Sequence, residues 1–420
     1  MLKPKPKQLP IWLRRVWSKA KNYKLLIDMK RFLLSLALVV ATCASYAAEI
    51  PVPKIQCGPW VVGVTENEMT IMWITTERSM GWVELAPDDG TSFYAEERPR
   101  FYEDYLGRHT VTKVHKVRIA GLQAGTTYRY RIYQQGIDDS GHNPVAGRIT
   151  ASNVYSAKPY AIRTMNKSAK ECRFSMINDI HGRDSMLIAL TKHFKSDKPD
   201  FVVFNGDMVD FMGSQQDLED KFLRRSSELF ATDVPLVYVR GNHETRGPGF
   251  SEYLNLFPTD TGTACFIFRQ GPVAFIVLDS GEDKPDSDLE YGGTAAYDAY
   301  REQLAMWLKQ AIQSEDVRTA PVKIALLHVP FEKGQGWYGS NELKRLFVPI
   351  LNEAGVDLMM SGHTHNYGIR EKGTCDGNEF PILVNDNDTR MDVVANDKEI
   401  KVKVVDALGK ELHNLTFKVE

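Results

Sequence analysis

Hydrophobic and polar positions follow two different rhythms along this chain. From about Cys57 to Ile149 they alternate with period two in short runs, as at 69–75, 81–85 and 127–133, broken by turn residues such as Pro87-Asp88-Asp89-Gly90. Roughly a hundred residues of this kind predict an all-β sandwich over 50–150. Residues 151–171, rich in Ser, Ala, Asn and Lys, read as a linker. Beyond them short apolar runs at 173–177, 201–204, 236–239, 273–278, 322–327 and 356–360 alternate with helical patterns at 186–194, 217–229, 297–312 and 342–354. That alternation predicts a layered α/β domain over 172–420, a sheet core flanked by helices. Its tail, 399–405 and 411–419, reads as a hairpin that completes the sheet.

The first 47 residues stand apart. Lys30-Arg31 precede an apolar run at 32–41 and a small-x-small end, Ser45-Tyr46-Ala47. This is the pattern of a secretory signal behind an N-terminal extension. The run is too short for a stable membrane span, so the expected location is periplasmic, extracellular or cell-surface. Lipidation of Cys43 is the minor variant of that reading. Residues 1–47 hold ten Lys/Arg and one acid, leaving 42 basic against 53 acidic residues in the remainder, a net charge of −11. A body that acidic does not bind nucleic acid through bulk electrostatics. Any affinity for phosphate must come from a local positive site. Cys57, Cys172, Cys265 and Cys375 contain no C-x-x-C spacing, and the sequence leaves disulfides and free thiols both open.

Five clusters sit just past predicted strand ends, where open α/β sheets place their sites. They are Asp179-Ile180-His181, Gly206-Asp207, Gly241-Asn242-His243-Glu244, His328 and Gly362-His363-Thr364-His365, and they hold five of the ten histidines. Residues two apart on an extended segment face the same side. Carboxylate and imidazole donors without thiolate suit Zn, Mn or Fe. His109, His115 and His142 lack ligand-like spacing and read as surface or loop histidines.

The cluster order resembles the calcineurin-like metallophosphoesterase superfamily, whose pattern is D-x-H, GD, GNH[ED], H and GHxH. The front domain is similar to that of purple acid phosphatases. The stretch Leu122 to Tyr130 resembles the tyrosine corner of fibronectin type III domains, in which Tyr128 would hydrogen-bond back to the backbone. The resemblance implies that Asp179, His181, Asp207 and His365 hold one metal, and Asp207, Asn242, His328 and His363 the other, with Asp207 shared. His243 would face the substrate. The implied activity is hydrolysis of phosphate monoesters by a metal-bridging hydroxide, with His243 assisting the leaving group. Two divalent ions, two carboxylates and one hydroxide leave the site at +1. A phosphodiesterase or nucleotide hydrolase is the alternative, and a non-catalytic adhesion or glycan-binding protein a third reading. One departure stands out. The purple enzymes' glycine and metal-binding tyrosine positions are His181 and Asp210 here, which implies a colourless enzyme.

Around this set, Asp210 and Glu244 are candidates for orienting a histidine, and Arg183 and Arg246 for reaching a phosphate. Trp337, Tyr338, Tyr291 and Phe331 are candidate walls for the leaving group. The expected partner is a small phosphorylated substrate. The sequence fixes neither the oligomeric state nor the metal pair.

Overall fold

The computed structural model describes residues 50–419 together with Ile27 and Lys30; the export signal and Cys43 lie outside the described residues. From Val52 onward the chain forms one compact unit. No described helix is long and apolar enough to cross a membrane.

The N-terminal part is a sheet domain of seven strands. The runs expected at 69–75 and 81–85 are one strand, Glu68–Pro87. Its first half pairs with Ile55–Val62 and Thr112–Ala120, and its second half with Thr127–Asp138. Sharing that strand links all seven into one hydrogen-bonded network. Tyr160–Arg163 falls within the expected linker but is a strand on Thr127–Asp138. Tyr128 Oη accepts the Gln123 N–H at 3.0 Å, the backbone contact expected of it. His115 corrects the surface reading. It is 1% exposed, stacked on Trp73 at 4.6 Å, with Nε2 3.1 Å from both Thr75 and Ser79 hydroxyls.

The second part holds two six-stranded sheets. In spatial order the first runs Leu236–Val239, Phe201–Asn205, Glu171–Ile177, Thr389–Asn396, Glu399–Asp406, Glu411–Lys418. The second runs Phe266–Gln270, Val273–Val277, Val322–Leu326, Leu358–Ser361, Ile382–Val384, Gly368–Arg370. Period-two alternation builds the layers. Phe174, Met176, Phe201 and Val203 face the second sheet, with the Phe174 and Phe275 rings edge-to-face at 5.2 Å. Ile177, Val202 and Phe204 point the other way, onto Leu187, Leu190, Phe222 and Phe230. Leu304, Leu308, Leu343 and Phe347 cover the far face of the second sheet. The order is helix, sheet, sheet, helix.

The N-terminal sheet shares the inner core. Val61, Ile71 and Trp73 belong to the same buried cluster as Phe174. The Trp60 indole donates to the Leu256 carbonyl at 3.3 Å and the Tyr130 hydroxyl to the Thr232 carbonyl at 2.7 Å. Cys57, Cys172, Cys265 and Cys375 are buried and unpaired.

Candidate metal centre

Strands 171–177, 201–205 and 236–239 run parallel, as do 273–277, 322–326 and 358–361. Each parallel set therefore releases its chain at one end, and the candidate side chains stand two to four residues beyond those ends. The turns are sharp. Asp179, His181, Asp207, His363 and His365 all have left-handed backbone, with φ between +50° and +70°. Each such residue costs on the order of 1 kcal/mol. The approach is close enough to require glycine. A Cβ on Gly241 would lie 2.2 Å from Asp207 Oδ1, and one on Gly206 2.3 Å from His328 Nδ1.

These turns bring all seven candidate ligands together. Asp179, His181 and His365 offer ligand atoms within 4.8 Å of one another, as do Asp207, His328 and His363. His365 Nε2 is 3.1 Å from Asp179 Oδ1 and from His181 Nε2. His328 Nε2 stands 3.0 Å from Asp207 Oδ2 and 3.9 Å from Asp179 Oδ1, which ties the groups together. Asn242 joins through Oδ1, 3.0 Å from His363 Nδ1.

Several contacts set the ring orientations. The Asn205 carbonyl accepts from His328 Nδ1–H at 2.7 Å, leaving Nε2 directed inward. The Asp210 carboxylate lies 2.9 Å from His181 Nδ1, so Nε2 of that ring also faces the centre. The Asp210 carbonyl accepts from His243 Nδ1–H at 2.8 Å. Arg246 can only donate, and its Nη1 is 3.0 Å from His243 Nε2, so that nitrogen is the acceptor.

The electrostatics describe a place for cations. Asp179 and Asp207 are buried, and their ionic partners are histidines rather than Lys or Arg. Burial alone would raise both carboxyls, but His328 and the neighbouring hydrogen bonds hold them below the ordinary range. Burial disfavours a charged His328, yet Asp207 and Asp179 outweigh it and raise its pKa to about 10. His363 moves the other way, to about 4, through burial and the repulsion of His328. His328 Nε2 is buried, and the atoms it faces are the carboxylate oxygens of Asp207 and Asp179. Inward nitrogens and anionic oxygens, with the neighbouring Arg246 guanidinium paired to Glu282, form a donor set that fits metal ions.

The neighbours divide. Glu244 does not touch His243, as the sequence suggested. It accepts from the amides of Asp207, Met208 and Gly241 at 2.8–2.9 Å and from the Tyr238 hydroxyl at 2.6 Å, and so clamps the Asp207 turn. Arg183 is turned away from any phosphate: it donates to the carbonyls of Ile180, Asp179 and Asn387 and pairs with Asp388. Phe331 lies in the core and is no wall. Trp337 is partly exposed and meets His363 edge-on at 4.8 Å. The Tyr338 hydroxyl donates to Asp298 at 2.8 Å. Sequence reasoning missed Glu282, which holds Arg246 through Nε at 2.6 Å and Nη2 at 3.1 Å. It also missed Asp283, 3.9 Å from His363 Nε2. Both follow strand Val273–Val277, a strand exit without a histidine, and that position was the available signal.

Comparison with known proteins agrees with this arrangement. The calcineurin-like phosphoesterase family profile matches residues 172–367, and the purple acid phosphatase N-terminal domain profile matches 59–158. Purple acid phosphatase 22 of Arabidopsis thaliana is 26% identical over 275 residues, covering 61% of this chain and 53% of that protein. The serine/threonine-protein phosphatase CPPED1 of Bos taurus is 27% identical over 178 residues, covering 40% and 54%. The chain thus spans about half the length of each of these relatives. Among solved structures, GAP50, the anchor in the inner membrane complex of Plasmodium, is 18% identical with a TM-score of 0.47, covering 60% of this chain and 90% of that one. With both profiles matched in order and the motif residues gathered in one place, the chain carries a calcineurin-like phosphoesterase domain over 172–367 and, in front of it, a purple acid phosphatase N-terminal domain over 59–158.

Proposed function

We propose that the protein is an exported, dinuclear-metal phosphoesterase that hydrolyses phosphate monoesters. The observation that carries this reading is the pair of acid–imidazole groups, one with Asp179 and one with Asp207, linked through His328, with His243 beside them. Asp179, His181, Asp207 and His365 would hold one ion, and Asp207, Asn242, His328 and His363 the second. When bound, such a pair would supply Lewis acidity and a hydrolytic nucleophile near neutral pH.

The chain's own residues do the rest. His243 is held by the Asp210 carbonyl at Nδ1, which leaves Nε2 as the atom that carries a proton to the leaving oxygen. Once protonated, Nε2 and Arg246 Nη1 are both donors, and the 3.0 Å contact between them must open. A phosphate oxygen is an acceptor that both could share. Glu282 keeps Arg246 beside the site. The N-terminal sheet is read as a fibronectin III-like sandwich, supported by the Tyr128 corner contact. Export rests on the residue pattern at 30–47 and is checked by N-terminal sequencing of the protein recovered outside the cytoplasm. The functional test is an assay of metal-reconstituted protein against matched aryl phosphate mono- and diesters. Preferential monoester hydrolysis is expected; faster diester hydrolysis would replace this reading with the phosphodiesterase one.

A further inference from the structure

Beside the metal centre, on the side of His243, lies a cavity of about 930 Å³. It is at the upper end of the size of small-molecule sites, far more than a phosphate group needs. Its walls are contiguous with the site. Arg246 lines the cavity and touches His243 Nε2, and Phe211 lines it while its chain neighbour Asp210 contacts both His181 and His243.

Three observations describe what would fit. The lining is aromatic: Phe211, Phe250, Tyr291 and Tyr297 contribute, and Phe211 and Phe250 remain 53% and 50% exposed. Half-exposed phenylalanine rings facing a cleft are stacking surfaces without a partner. The lining charges are already matched, Arg240 with Asp279 at 2.7 Å, Arg246 with Glu282 and Glu290 with Lys284, so the cavity has no unbalanced charge for an ionic group. Two donors on lining residues are unused: the buried Arg240 Nε and the Tyr291 hydroxyl have no hydrogen-bond acceptor.

Resting on the phosphoesterase reading above, we infer that this cavity is the leaving-group subsite and takes a planar, uncharged aromatic group bearing a hydrogen-bond acceptor. Preferred substrates are then phosphate monoesters whose alcohol carries such a ring. The test uses metal-reconstituted full-length protein and three primary alkyl phosphates, so that the bond broken is matched: adenosine 5′-monophosphate, 2-phenylethyl phosphate and glycerol 1-phosphate. The kcat/KM of the first should exceed that of glycerol phosphate by roughly tenfold or more, with phenylethyl phosphate, which has no acceptor on its ring, in between. Phe211→Ala and the cavity-filling Ala295→Trp should each bring the ratio toward one. Ratios near one in the unaltered protein, or unmoved by both variants, would overturn the subsite while leaving the phosphoesterase reading intact. If no phosphate ester is hydrolysed, the underlying reading fails and this inference falls with it.

Discussion

Asp207 and His243 stand two and four positions beyond neighbouring strand ends, and they are expected to fail in different ways. Asp207 is buried between His328 and the His243 amide, which it accepts at 2.9 Å. Asp207→Ala should lose both ions, read by elemental analysis of the purified protein. His243 is tethered through its own Nδ1 and a backbone carbonyl, so His243→Ala should keep metal content near normal. Turnover should fall by roughly 10²–10⁴, the usual contribution of a proton-transfer group. A metal-free His243→Ala protein would reverse these roles. Asp210 stands where the purple enzymes have tyrosine, and its carboxylate pairs with His181. Iron-loaded protein should therefore show no strong visible charge-transfer band in its absorption spectrum.

At the level of elements, function depends on the turns that end the parallel strands. Gly241→Ala should push a methyl group against Asp207 Oδ1 and its amide, at 2.2 and 2.5 Å, and displace that carboxylate. The expected result is loss of metal with near-normal far-UV circular dichroism; full metal content would show that the turn can yield. These turns were legible in the sequence because a polar motif abruptly ends each apolar run. The helix at 297–311 and all but the first turn of the helix at 338–354 were legible from their period. Two features were not. Strand Thr389–Asn396 sits in the middle of the first sheet, antiparallel to Glu171–Ile177, and nothing local distinguishes such a long-range pairing from an edge hairpin. His115 looked like a surface histidine because its burial comes from Trp73 on a paired strand, more than forty residues away. Glu244 was misassigned for a related reason: its partners are backbone amides, which no side-chain pattern reveals.

For the whole molecule, the shared core and the Trp60 and Tyr130 hydrogen bonds join the N-terminal sheet to the phosphoesterase layers. Stability should therefore respond to titration far from the metals. Burial lowers the His115 pKa to about 3, against 6.5 ordinarily. Above pH 6.5 the ring is neutral folded and unfolded, and no term arises. As pH falls from 6.5 toward 3 only the unfolded chain takes up the proton, so stability declines by up to roughly 1.4 kcal/mol per pH unit. Urea midpoints between pH 7 and 5 should drop less steeply for His115→Gln than for the unaltered protein; equal slopes would refute the assignment. The layered scaffold also explains which residues can occupy the centre at all. Among side chains with metal-binding atoms, aspartate and histidine are those that tolerate a left-handed peptide comparatively well. Glutamate and cysteine bring suitable donors but gain no such tolerance. Five of the seven gathered residues occupy that conformation, so peptide geometry has narrowed the choice of donor before the preference of any ion is exercised. An exchange of Asp179 for glutamate would thus be penalised twice, once for reach and once for the bend of the chain beneath it.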